Sequence, residues 1–150
     1  MKIYLSGSIS GGREKLAAYI RIKEFLESRG HQVTSPQTAD PSVTSKGEGD
    51  FNDSQTIFKR DIRQINGSNA MVAEVSLPSL GVGYEIAYAL GRGMPILCLY
   101  DLEHPSHRIS AMIAGNTFPL LTSAGYQEST LEALLEKWLS GWPDGFPSPD

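Results

Sequence analysis

Apolar residues along this chain alternate between short continuous runs and longer stretches of helical period, the pattern of strands buried on both faces and joined by amphipathic helices. Ile3, Tyr4 and Leu5 make the first run, the Gly/Ser segment 6–12 closes it, and Leu16, Tyr19, Ile20 and Leu26 then recur at helical spacing until Gly30. Residues 31–35 read as a short second strand, and 36–53 is polar and without period. A second helix is predicted from Ser54, read as its N-cap, to Asn66 and Gly67, with Ile57, Phe58, Ile62 and Ile65 as its apolar stripe. Runs at 70–75 and 95–100 give the third and fourth strands, with a helix between them, and Phe118, Pro119, Leu120 and Leu121 give a short fifth. Residues 106–114 read as a short helix and 129–138 as a final amphipathic one carrying Leu131, Leu134, Leu135 and Trp138. The expected fold is α/β: one Rossmann-like domain over 1–140 with an approximately five-stranded parallel sheet flanked by helices, then a loose tail from 141 to 150.

Composition narrows the partners. A 150-residue chain with 40% hydrophobic content can bury a continuous core without crosslinks or metals. The lone Cys98 lies inside the fourth apolar run and reads as a buried thiol, which fits a reducing, cytoplasmic setting. Met1 leads almost directly into the first strand, leaving no room for a signal peptide, and no apolar run is long enough to cross a bilayer. Net charge is -4 with no basic stretch, so neither a nucleic acid nor a membrane is expected as a partner. His31 starts a strand and His104 and His107 fall in a polar loop without ligand spacing, so no metal and no other cofactor is expected.

Candidate chemistry begins at Pro78-Ser79-Leu80-Gly81-Val82-Gly83-Tyr84-Glu85, which leaves the third strand and opens a helix. Its glycines admit close backbone approach, Ser79 offers a hydroxyl, the helix N-terminus offers amides to an anion, and Glu85 lies one turn inside. The same octet is also compatible with a plain helix entry whose glutamate is solvated. The first loop lacks GxGxxG spacing and a P-loop lysine, pointing to a mononucleotide-sized ligand, while Ser8 and Ser10 read equally as turn residues. Arg13 reads as a solvated first-turn residue. Asp61 lies on the apolar stripe of the second helix, where burial would raise its pKa and make it a proton donor; the alternatives are a boundary residue paired with Lys59, Arg60 or Arg63, or a helix-turn acceptor. Two carboxylates in unequal surroundings suit glycosidic cleavage. Glu74 competes as the second acid but reads as a salt-bridge or edge residue, and Tyr4 as either a core aromatic or a hydroxyl reaching a carboxylate.

Taken together, Tyr4-Leu5-Ser6-Gly7-Ser8-Ile9 with Gly11-Gly12-Arg13, Asp61, the octet ending at Glu85, and Ser110-Ala111-Met112-Ile113 resemble the 2′-deoxynucleoside 5′-phosphate N-hydrolases, within the nucleoside 2-deoxyribosyltransferase superfamily. The resemblance spans residues 3 to about 139. It implies an enzyme that cleaves nucleoside 5′-monophosphates to free base and sugar 5-phosphate through a glycosyl-enzyme intermediate on Glu85, with Asp61 assisting the base and then water, and Tyr4 positioning Glu85. Gly7, Ser8, Ile9, Ser10, Gly11, Ser79 and Gly81 would hold the 5′-phosphate. Ser110 would reach the phosphate and Met112 the base from a neighbouring subunit, which implies a homodimer with shared sites. The chain departs from the resemblance at Ser10, where relatives carry arginine, and at Pro36, where they carry histidine. Two other functions fit parts of the pattern: a nucleoside 2-deoxyribosyltransferase exchanging bases, and a nucleotide-binding module without turnover.

Overall fold

A computed structural model describes residues 1–46, 53–105, 109–142 and 145–146. Five parallel strands, β1 (Lys2–Ser6), β2 (Gln32–Val33), β3 (Ala70–Glu74), β4 (Ile96–Asp101) and β5 (Leu121–Tyr126), form one sheet in the order β2-β1-β3-β4-β5. Strand alternation divides the core into two layers. Ile3, Leu5, Val72, Leu97 and Leu99 pack with Tyr19, Ile22 and Leu26 of α1 (Leu16–Ser28) and with Leu131 and Leu135 of α5 (Leu131–Ser140). On the other face Tyr4, Met71, Ala73, Ile96 and Cys98 pack with Ile65 of α2 (Ser54–Asn66) and with Val82, Ile86 and Ala89 of α3 (Leu80–Gly91). Burial pushes the Cys98 thiol up to about 12, which leaves it protonated and unreactive. No helix among the described residues is long and apolar enough to cross a membrane.

The chain leaves β1 for β2 on one side of the sheet and returns to β3 on the other. β1 and β3 are adjacent, and the helices that follow them lie on opposite faces, so their carboxyl ends form the switch point where such sheets open a crevice. Both loops singled out in the sequence start there.

Several expectations need correction. The fifth strand is Leu121–Tyr126, starting three positions later than predicted at the last residue of the predicted run, which otherwise leads into it with Phe118 66% exposed. Asp53, not Ser54, caps α2, its carboxylate accepting from the amides of Gln55 and Thr56. Phe58 faces outward against the Tyr84 ring, and Ile65 is the one residue of that predicted stripe that is buried. The polar stretch after β2 starts with a 3₁₀ turn, Pro36–Ala39, and 47–52 lies outside the described residues. The predicted helix over 106–114 reduces to α4 (Ala111–Ala114), with 106–108, including His107, outside the described residues. Within the supposed tail, Phe146 is buried, its ring 4.9 Å from that of Trp138 and 5.4 Å from that of Trp142.

Candidate active site

Tyr4 and Ser6 are two residues apart on β1, so both side chains leave the same face of the sheet, towards α3. There the Tyr4 hydroxyl donates to Glu85 Oε1 at 3.0 Å and the Ser6 hydroxyl to Oε2 at 2.5 Å. The two donors fix the carboxylate in position in the second turn of α3. Burial lifts Glu85 from 4.5 to about 7, against the pull of the Ser6 and Tyr4 hydrogen bonds; the charge of Asp61 raises it further and Arg60 lowers it. The Tyr4 phenol, almost wholly buried, is held well above its ordinary value by burial first and then by the charges of Glu85 and Asp61. Glu85 is therefore not the solvated glutamate of a plain helix entry.

Asp61 enters from α2. Its carboxylate is 18% exposed and forms an ion pair with Arg60, whose Nη2 lies 2.7 Å and Nε 2.8 Å from Oδ1. Gln37, on the 3₁₀ turn, donates to the same oxygen at 3.3 Å. Of the alternatives open in the sequence, pairing with Arg60 describes Asp61, rather than isolation against the sheet. It remains close enough to act electrostatically on both Tyr4 and Glu85.

The two glycine loops meet above this cluster. A Cβ on Gly11 would come within 3.0 Å of the Pro78 carbonyl and 2.7 Å of the Ser8 hydroxyl, so only glycine allows the first loop to close on the turn before α3. Gly7 is constrained from below: a Cβ there would sit 2.8 Å from the Tyr19 ring. Ser8 is fully buried, its hydroxyl beside Gly11 and without a hydrogen-bond partner among the described residues, whereas Ser10 and Gly11 are exposed and Ile9 half-buried. Arg13 is not solvated; it donates to the carbonyls of Thr38 at 2.9 Å and Asp40 at 2.8 Å, tying the first loop to the segment after β2.

Ser79 caps α3, accepting from the Val82 amide at 3.3 Å, and Ser110 caps α4, accepting from the Met112 amide at 3.3 Å. Both line an apolar groove of about 940 Å³ between these helices, together with Leu80, Met112 and Phe118. Tyr4, Asp61 and Glu85 are not part of its lining. The structure thus gathers Tyr4, Asp61 and Glu85 in one cluster, brings Gly11 to the turn before Ser79, and sets Ser110 and Met112 in the adjoining groove.

Sequence reasoning missed Ser6 and Gln37. The alternation that places Tyr4 on the α3 face also places Ser6 there, a signal available in the sequence; Gln37 had none. Glu74 is corrected outright. It is fully buried in the central strand and, like Ala70 and Val72, faces the α1 layer, on the opposite side of the sheet from Glu85.

Comparison with known proteins places the chain in a family. The model of the nucleoside 2-deoxyribosyltransferase family matches residues 3–130. A protein of Methanococcoides burtonii, provisionally named 2′-deoxynucleoside 5′-phosphate N-hydrolase 1, is 44% identical over 118 residues, covering 79% of this chain and 93% of that protein. The 5-hydroxymethyl-dUMP N-hydrolase of Danio rerio is 38% identical over 139 residues, 92% of this chain and 95% of its own length. Among solved structures, a Clostridium botulinum CMP N-glycosidase superposes with a TM-score of 0.65 over 93% of this chain and 100% of that one, at 20% identity, a likeness of fold.

Proposed function

Since the chain belongs to the nucleoside 2-deoxyribosyltransferase family, we propose that it hydrolyses the N-glycosidic bond of (2′-deoxy)nucleoside 5′-monophosphates, releasing free base and (2-deoxy)ribose 5-phosphate. The observation that carries this reading is the Glu85 carboxylate, half-buried, clamped by Tyr4 and Ser6, and within electrostatic reach of a second carboxylate. A module that only bound nucleotides would have no use for a carboxylate kept at such cost.

In the first half-reaction a Glu85 oxygen attacks the anomeric carbon, the C–N bond breaks, and its electron pair leaves with the base; Asp61 delivers the proton that neutralises it, which requires that substrate binding loosen the Arg60 ion pair and let Asp61 enter this step as the carboxylic acid. In the second, Asp61 takes a proton from water, the water oxygen attacks the same carbon, and Glu85 departs as carboxylate. The sum is addition of one water across the glycosidic bond. Tyr4 and Ser6 hold Glu85 in line and take up its charge as it leaves. The amides of Leu80 and Gly81 at the start of α3, the Ser79 hydroxyl, and the exposed arc of Ser10 and Gly11 would receive the 5′-phosphate.

The N-hydrolase names carried by the relatives favour water over a second base as acceptor. The assembly we propose is a homodimer in which a second copy fills the α3/α4 groove, covering Leu80, 97% exposed, and Met112, 82% exposed. Ser110 of each copy would then reach the other's phosphate. The setting is the cytoplasm, with free nucleotides as substrates. Incubation with individual deoxy- and ribonucleoside monophosphates, with and without an acceptor base, followed by chromatography, tests the reaction. Base release without acceptor is the expected result; exchange alone would make the chain a transferase, and binding without release a nucleotide-binding module.

A further inference from the structure

The buried glutamate that the reaction leaves unused sits in a hydrogen-bonded chain of its own. Glu74 Oε1 accepts from the Tyr126 hydroxyl at 3.1 Å and from the Ser76 hydroxyl, and Oε2 faces the Ser76 amide at 3.4 Å. The Ser76 oxygen in turn accepts from the Asp101 amide at 2.8 Å. The Asp101 carboxylate takes Lys15 Nζ, and at 2.8 Å the amide of Glu103. Tyr126 ends β5, Asp101 ends β4, Glu74 ends β3, and Lys15 stands at the entry to α1, directly after the first glycine loop. The chain of bonds therefore links the carboxyl ends of three strands to both loops of the proposed site.

A fully buried carboxylate is a poor device for stability alone, because losing hydration costs more than its hydrogen bonds return. Its bonds have another effect here. Ser76 is three residues before Ser79, and the turn between them supplies the Pro78 carbonyl on which Gly11 closes. Anchoring Ser76 fixes where α3 starts. From this geometry we infer that Glu74 is a positioning residue: acting through Ser76, it sets the 76–79 turn, and with it the phosphate-holding end of α3, without touching the substrate. This rests on the proposed hydrolysis of nucleoside monophosphates. Glu74 faces the α1 layer and Glu85 the α3 layer, so the sheet between them keeps Glu74 out of the bond-breaking step.

The test compares a nucleoside monophosphate with its nucleoside. Glu74→Gln should raise KM for the monophosphate about tenfold, keep kcat within about twofold, and leave kcat/KM for the nucleoside unchanged, since only the phosphate end is displaced. Ser76→Ala keeps the carboxylate and removes its link to the turn; it should reproduce the KM effect even if Glu74→Gln fails to fold. Wild-type KM in both variants, or equal losses on nucleotide and nucleoside, would overturn the inference. Calorimetric titration with 2-deoxyribose 5-phosphate separates it from the reading beneath. If the wild type releases no base from any monophosphate, the proposed function fails; weaker binding by the variants would still uphold positioning, and unchanged binding would refute it.

Discussion

Replacing Glu85 by glutamine should stabilise the protein in a manner that depends on pH. Burial raises this carboxyl from 4.5 to about 7, despite the opposing hydrogen bonds of Ser6 and Tyr4. At about 1.4 kcal/mol per pH unit, that difference corresponds to roughly 3 kcal/mol. The sign follows from which state binds the proton more tightly. With the folded value above the unfolded one, the protonated group's contribution is fully present below pH 4.5 and is lost as pH rises through about 7, where the folded chain must hold an ionised carboxylate stripped of part of its hydration. Glutamine removes that titration while still accepting from Tyr4, and its amide can donate to the Ser6 oxygen. Urea unfolding of Glu85→Gln and wild type at pH 4 and pH 8 should therefore give a stability difference that grows by ~3 kcal/mol in favour of the variant at the higher pH. Any fixed cost of the substitution cancels between the two conditions. A difference that is flat with pH, or that turns against the variant at pH 8, would show that Glu85 is not held at this cost.

Ser6→Ala removes a hydrogen bond that pulls Glu85 down, so the acid limb of kcat/KM, expected near pH 7 in the wild type, should move to higher pH; an unmoved limb would mean that Ser6 does not act on the nucleophile. Gly7→Ala forces a methyl to 2.8 Å from the buried Tyr19 ring and should cost about 1–3 kcal/mol in denaturant unfolding, with Tyr19→Leu in the same chain recovering part of it. Met112→Asp places a charge in the apolar groove that a second copy is proposed to fill, so sedimentation should show a shift from dimer to monomer at micromolar concentration.

Much of the fold was legible because its central strands are continuous apolar runs buried on both faces, as Met71-Val72-Ala73 and Ile96-Leu97-Cys98-Leu99 are. The edge strand was not. Leu121–Tyr126 is small, polar and largely accessible, with Tyr126 its one buried residue, and the more apolar stretch just before it drew the assignment. The second helix misled in the opposite sense: Phe58 has the spacing of a core residue but packs on Tyr84 at the surface. In the site, the spacing of Tyr4 and Glu85 to their loops was readable, and their contact across 81 residues of sequence was suggested by resemblance. The partners that set their chemistry were less accessible. Ser6 could have been found from strand alternation. The Arg60 pairing of Asp61 was one of three equal choices, and the burial of the Ser8 hydroxyl depends on how tightly Gly11 closes over it.

In the proposed mechanism Glu85 attacks the anomeric carbon and carries the sugar phosphate until water releases it. Methanolysis measures this most directly: methanol competing with water in the second half-reaction forms a methyl glycoside whose anomeric configuration is read by NMR. Two inversions at one carbon predict a product with the configuration of the substrate, formed by the wild type and absent with Glu85→Ala. An inverted methyl glycoside, or full turnover in Glu85→Ala, would contradict the account and reduce Glu85 to an electrostatic or general-base role.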